Sequence, residues 1–250
     1  MKLLVDIGNT RIKWASLAAG GLTDSQGFAH HGDPAAATAG LIEQVAEPPA
    51  AVLIANVAGA AFAGAVVQGI GARWNIEVQQ AHTQASAGRV RNAYRDYAQL
   101  GVDRWLAILA AAHRYPGGAC IVDVGTAVTI DLLAPGGEHL GGYILPGLDA
   151  MWRSLTAGTG DLERLAGDDA VRAEASCVPG RGTGEAIGHG SLMAVCAAIE
   201  HCARRLAEDN REGIVVVTGG AAGRVIPHVA VDLEHRPQLV LEGLAVWQPG

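Results

Sequence analysis

Two stretches of the chain repeat one pattern. LLVDIGNTRIKWA at 3–15 and CIVDVGTAVTIDLL at 120–133 each run apolar–apolar–Asp–apolar–Gly, turn through Asn-Thr or Thr-Ala, and become strand-like again. Their aspartates, Asp6 and Asp123, stand nearly half the chain apart. One Asp-x-Gly turn is ordinary. Two of them, each ending a buried-strand pattern and each leading a half-chain, predict a duplicated α/β domain with two phosphate loops facing each other across a cleft. Such a pair can hold the tail of a nucleotide.

The rest of the chain follows that plan. KLLVDIG (2–8) and RIKWASLA (11–18) predict two strands about a turn. ATAGLIEQVA (37–46) has helical spacing and is stopped by Pro48-Pro49. A strand over 50–57, a short helix over 62–70 and a strand over 75–81 come next. Residues 86–101 show no period but hold two tyrosines and three arginines, the mark of a long functional loop. An amphipathic helix over 101–115 ends at Pro116-Gly117-Gly118. The second half restarts with strands over 119–124, 128–134 and 139–147 and a helix over 148–158. A glycine-rich stretch then enters a long helix (182–210). A buried strand runs into a glycine turn (213–223), and a helix closes the chain (241–248). The boundary falls near 115–118. This gives domains 1–116 and 117–250, with the closing helix free to pack back on the first.

Composition narrows the function. Of 250 residues, 50% are hydrophobic and only 4% aromatic, so Ala, Val, Leu and Ile fill the cores. The net charge of −7, with no basic run, argues against nucleic acid as a partner. Cys120, Cys177, Cys196 and Cys202 form no Cys-x-x-Cys, and no histidine cluster has zinc spacing, which reads as reduced thiols in a cytoplasmic protein. The first apolar run stops at Asp6, unlike a signal peptide, and the longest, WLAILAAA (105–112), is too short to span a bilayer. No membrane partner is expected.

The first loop is Asp6-Ile7-Gly8-Asn9-Thr10-Arg11-Ile12-Lys13. Its glycine permits close backbone approach to an anion, and Asn9, Thr10 and backbone N–H groups can donate to phosphate. Asp6 at a strand end can hold a hydrated Mg²⁺. Lys13 or Arg11 can neutralise phosphate charge. A plain hairpin would use the same residues. The recurrence at Asp123-Val124-Gly125-Thr126 and the strand running into Gly219-Gly220 raise the phosphate reading above it. Neither Gly-x4-Gly-Lys-Ser/Thr nor Gly-x-Gly-x-x-Gly occurs, which disfavours P-loop and Rossmann proteins. Gly101-Val102-Asp103-Arg104 opens a helix. Spacing alone leaves Asp103 equally a cap on the helix dipole or a general base beside an arginine that pairs with a carboxylate.

DIGNT, the Tyr94 segment ending in LGVDR, DVGTAVTID, GGYILPGL, TGEAIGHG and VVVTGG resemble, in this order, the motifs of type III pantothenate kinases. The resemblance covers about residues 1–247. It implies two ribonuclease H-like domains of the actin-like ATPase kind, a homodimer, and phosphorylation of pantothenate by ATP as the first step towards coenzyme A. It implies Mg²⁺ with the ATP and a monovalent cation, K⁺ or NH₄⁺. By motif, residues 6–13 (Asp6, Ile7, Gly8, Asn9, Thr10, Arg11, Ile12, Lys13) and Thr126 would bind ATP, with Gly219 and Gly220 as the wall for its adenosine. Asp103 would be the base. Tyr94, Gly101, Val102, Asp103, Arg104 and Thr183 would contact pantothenate. Asp123 would hold the monovalent cation. Part of the substrate pocket would lie at the dimer interface. One departure is local: where the family has Thr-Ala-x-Leu-Pro, this chain has Thr156-Ala157-Gly158-Thr159-Gly160 and no proline. The rival readings are a sugar kinase or polyphosphatase of the same fold, and a nucleotide-sensing regulatory protein with little turnover.

Overall fold

The computed structural model describes residues 1–157, 175–208 and 213–249. The chain forms two compact units, Met1–Arg114 with Gln238–Gly250, and Tyr115–Pro237. The last thirteen residues return to the first.

The first unit is built on a sheet of β1 (Lys2–Ile7), β2 (Arg11–Ala18), the short β3 (Gly21–Leu22) and β4 (Gln26–Ala29), β5 (Ala51–Asn56) and β6 (Val78–Gln80). Its order is β3-β2-β1-β5-β6, with β4 also on β2. β1 pairs antiparallel with β2 and parallel with β5, and β5 pairs parallel with β6. Helices α1 (Pro34–Gln44) and α2 (Ala60–Trp74) bury Leu3, Val5 and Ile7 on one face, with Leu41, Val66 and Ile70. Strand alternation sends Leu4 and Asp6 to the other face. There α3 (Val102–Arg114) packs on β5 and the closing helix packs on β1.

The second unit repeats the plan. β9 (Ala119–Val124), β10 (Ala127–Leu133), β11 (His139–Pro146), β12 (Ile214–Thr218) and β13 (Leu233–His235) lie in the order β11-β10-β9-β12-β13. The pairings are again antiparallel on one side of β9 and parallel on the other. Helices α4 (Leu148–Thr156) and α5 (Thr183–Glu208), with the short α6 (Ala222–Val225), cover the Cys120–Val122–Val124 face. The duplication visible in the two Asp-x-Gly runs is therefore a duplication of whole sheets.

Some elements differ from the expected ones. The short helix over 62–70 is α2, four residues longer at its end. Gly69 and Gly71 look like breakers, but they are contact glycines. A Cβ at Gly69 would press on Thr38 of α1, and one at Gly71 on the Ile76 carbonyl. The helix closes at Asn75 in the left-handed region (φ 52°). The loop over 86–101 includes a two-stranded hairpin, β7 (Ser86–Ala87) with β8 (Val90–Arg91), and a 3-10 turn at Tyr97–Gln99. β3, β4 and β13 escaped sequence reading because they are short and partly exposed, so no alternation marks them. The Gly158–Leu162 stretch of the proline departure lies outside the described residues.

The closing helix, α7 (Leu239–Val246), lies on α3 so closely that a Cβ at Gly243 would overlap the Leu106 carbonyl. Gly243→Ala must push the helices apart, an overpacking cost of about 1–3 kcal/mol. Exposed Gly64 of α2 has nothing within 4 Å of its Cβ position, so Gly64→Ala should gain roughly 1 kcal/mol from helix propensity. Thermal melts should therefore move in opposite directions for the two variants.

Cys120, Cys196 and Cys202 are buried and Cys177 is exposed. Burial pushes all three buried thiols up, Cys196 to about 12. A disulfide reagent at pH 8 should label one thiol quickly in the native protein and four after denaturation. Rapid labelling of a second native thiol would contradict this packing.

Candidate functional site

In the first unit the strands reach their C-terminal edge at Asp6. The Asp6↔Lys13 and Ile7↔Ile12 pairs close the β1–β2 ladder, and Gly8 N–H donates to the Arg11 carbonyl at 3.0 Å. Ile7 and Ile12 are fully buried, so only their backbones can serve a ligand. Asn9, Thr10 and Arg11 are exposed, while Asp6, Gly8 and Lys13 are half-buried. The Arg11 guanidinium donates to the Gly27 carbonyl at 3.3 Å.

The polar loop brings a second group to the same edge. Ala81 N–H donates to the Ile54 carbonyl at the end of β5. Thr83 Oγ1 then donates to the Leu100 carbonyl at 2.8 Å, which fixes the start of α3 beside the end of β6. Because β1, β5 and β6 are parallel, α3 begins at the edge where β1 ends, on the face towards which Asp6 points. This is where open α/β sheets bind ligands. Asn92 accepts from the Tyr94 N–H at 3.0 Å and donates to the Gln84 carbonyl, setting Tyr94 in place.

Three predicted residues then meet. Arg104 is only 7% exposed. Its Nη1 donates to the Tyr94 hydroxyl at 2.8 Å, and its guanidinium lies 5.5 Å from the Tyr94 ring centre. Asp103 Oδ1 accepts the Arg104 backbone N–H at 2.8 Å. A Cβ at Gly101 would lie 2.6 Å from that oxygen, so a glycine is needed for the carboxylate to sit there. The positive end of the helix favours negative charge at this spot. Val102 starts the helix and Gly101 precedes it.

The second unit assembles the equivalent turn. Val124↔Val128 is its last pair, and Gly125 N–H donates to the Ala127 carbonyl at 2.9 Å. This loop is one residue shorter than the first. Thr218 is in register with Asp123. Gly219, at φ +98°, would drive a Cβ into the Asp123 carboxylate and the Val124 backbone. Thr126 and Gly220 are exposed, and nothing stands within 4 Å of a Cβ at Gly220, which leaves an open wall. Thr183 heads α5 and is exposed. Just before it, the Arg181 N–H is accepted by Glu185 at 2.7 Å. His189 bonds the Val178 carbonyl through Nδ1 at 2.8 Å, a structural tie for the segment before the helix. A cavity of about 270 Å³ follows the glycine turn, lined by Leu148, Trp152, Ser191, Gly223 and Arg224. Arg224 pairs with Asp149 at 2.9 Å.

Among the described residues no three His, Cys, Asp or Glu side chains gather as a metal site. Each loop instead offers one half-buried carboxylate, Asp6 or Asp123. One carboxylate, with waters and ligand phosphates making up the rest, is how Mg²⁺ is commonly held, so Asp6 fits that ion. Asp123, with bare glycine backbone beside it, fits a site that adds carbonyl oxygens to one carboxylate. Sequence reading passed over the part that Gly147 plays within the GGYILPGL run: its N–H donates to the Thr126 carbonyl at 3.1 Å, and the second loop's carbonyls fill its Cβ position. It also passed over His30, one histidine among nine with no motif around it.

The family model for type III pantothenate kinase matches residues 2–205. A type III pantothenate kinase of Halorhodospira halophila is 37% identical, covering 99% of this chain and 97% of its own. Another, of Chromobacterium violaceum, is 38% identical with 98% of each chain covered. Among solved structures, a Campylobacter jejuni chain described as a Baf family transcriptional activator superposes with a TM-score of 0.57 at 17% identity, over 97% of this chain and 95% of that one. At that identity the likeness speaks for the fold alone, a duplicated actin-like architecture. The two matched loops, the helix that opens on Asp103 and relatives alike along nearly their whole length lead to one assignment: the chain belongs to the type III pantothenate kinase family.

Proposed function

We propose that the chain transfers the γ-phosphoryl group of ATP to the primary hydroxyl of pantothenate, with Asp103 as the base. The observation that carries this is the convergence of Asp6 and the Asp103–Arg104–Tyr94 group on one edge and one face of the first sheet. The first loop, with Asn9, Thr10 and its backbone N–H groups, holds the phosphates, and Lys13 offsets their charge. Thr126 serves the phosphates from the second unit, where Gly219 and Gly220 leave a flat wall for adenosine. Arg104 takes the pantothenate carboxylate, with Tyr94 holding the guanidinium in place. Gly101, Val102 and Thr183 complete the substrate contacts. Asp103 orients the hydroxyl and accepts its proton as the phosphoryl group leaves ADP.

Asp6 would hold Mg²⁺ through water, and Asp123 a K⁺ or NH₄⁺ ion. Bound there, the cations supply neutralisation of phosphate charge. The protein works as a cytoplasmic homodimer without nucleic acid or membrane. Exposed Leu140, Tyr143 and Ile144 on the edge strand β11 support a partner subunit. The domains divide as 1–116 and 117–250 in sequence, with α7 returning to the first.

The test is ADP release from MgATP with and without pantothenate, in Na⁺ and in K⁺ or NH₄⁺ buffer. Release that requires pantothenate and rises with K⁺ or NH₄⁺ is the expected result. ATP binding with no pantothenate-dependent release in any buffer would overturn the kinase reading.

A further inference from the structure

His30 is buried, 4% exposed, at the end of β4. Its Nδ1 accepts the Gly32 N–H at 3.1 Å. The ring proton must then sit on Nε2, which lies 2.9 Å from the Gly8 carbonyl and donates to it. The His30 backbone N–H donates to the Thr10 carbonyl at 3.2 Å. Its ring lies against Phe62 of α2, with centres 4.4 Å apart. The turn that folds Gly32 back onto the ring, with His31 and Gly32 at φ 48° and 78°, leads to Asp33. Asp33 caps α1 by accepting from Ala35 and Ala36. One side chain thus ties the first loop to both helices beneath it.

The second unit shows what this residue replaces. His30 follows β4, which pairs antiparallel with β2 after the first loop, and Gly147 follows β11, which pairs antiparallel with β10 after the second. Both give their backbone N–H to the Thr of the adjacent loop, Thr10 or Thr126. At Gly147 the loop carbonyls fill the Cβ position, so a side chain is excluded. The first loop is one residue longer, and the imidazole at His30 reaches its displaced Gly8 carbonyl.

We infer that His30 is a positioning residue for nucleotide binding, acting through the Gly8–Asn9 peptide. In a trans planar peptide the carbonyl and the next N–H point in opposite directions. Holding the Gly8 carbonyl towards the buried ring therefore aims the Asn9 N–H the other way, to the exposed side of the loop. Without the imidazole that peptide can rotate, and the donor is no longer preset for phosphate.

The inference rests on the proposal that residues 6–13 hold the phosphates, and the test separates the two. MgATP affinity is measured by calorimetry without pantothenate, then KM for each substrate, on wild type, His30→Ala and His30→Gln. Gln can present an amide N–H near the place of Nε2. His30→Ala should weaken MgATP affinity about tenfold, the scale of one buried hydrogen bond left unmade, with the KM for pantothenate unchanged. His30→Gln should recover most of the loss. Equal MgATP affinity in wild type and His30→Ala would overturn the inference. So would an equal loss in both variants that follows their melting temperatures. No MgATP binding by wild type would instead remove the phosphate-loop proposal itself.

Discussion

Asp103→Asn should lower turnover a hundredfold or more, the usual contribution of a general base, and leave the melting temperature close to wild type. The expectation comes from what the side chain touches. Its Oδ1 accepts the Arg104 N–H and fits against Gly101. Asparagine keeps an oxygen of the same size there and loses the negative charge and the ability to take a proton. A carboxylate that merely caps α3 would survive this exchange with its function intact. The variant therefore separates the two roles that spacing alone could not. Turnover should fall with little change in the KM for pantothenate, because Arg104 and Tyr94 remain in place. Asp103→Ala should lose activity similarly and also stability, since the bond from the Arg104 N–H to Oδ1 is lost with the carboxylate. Near-wild-type turnover in Asp103→Asn would remove the base from the mechanism.

Most of this architecture was legible in the sequence for a physical reason. β1, β5, β9 and β12 are buried on both faces or nearly so, and their apolar runs are hard to mistake. The Asp-x-Gly turns mark where those runs must stop, because a carboxylate and a flexible joint cannot continue into a core. The short strands β3, β4 and β13 carry no such signal. The same holds for the site. Asp6, Asp103 and Gly219 stand out because their chemistry sits beside glycines in short patterns. His30 and the role of Gly147 do not, since both depend on a later strand, β4 or β11, folding back over a loop. That neighbour is distant in sequence, and no local pattern announces it. The meeting of Arg104 with Tyr94 needed the geometry as well, because the polar loop has no period to show which way its tyrosines face.

Gly219→Ala should be the most damaging single methyl group in the second unit. The backbone there has φ +98°, where an L side chain is strained by about 1–3 kcal/mol. The added Cβ also meets the Val124 backbone at the end of β9, a strand paired on both sides, and the Asp123 carboxylate. The Val124 backbone cannot swing aside as a side-chain end can, so relief requires moving the strand end or the turn. Overpacking of that kind adds about 1–3 kcal/mol. The melting temperature should fall by roughly 5–20 °C, given about 2–6 kcal/mol in all and about 2–4 °C per kcal/mol at this size. MgATP affinity should fall with it, because the displaced groups are those that shape the second loop. Gly220→Ala is the internal control. Its Cβ would meet nothing within 4 Å and its φ is not in the left-handed region, so stability should hold. Any loss there would appear only in nucleotide affinity, where the flat wall is needed. If Gly219→Ala melts like wild type, the close approach of the glycine turn to Asp123 is not a feature of the folded protein. The assignment of that turn to the nucleotide would then lose its structural support.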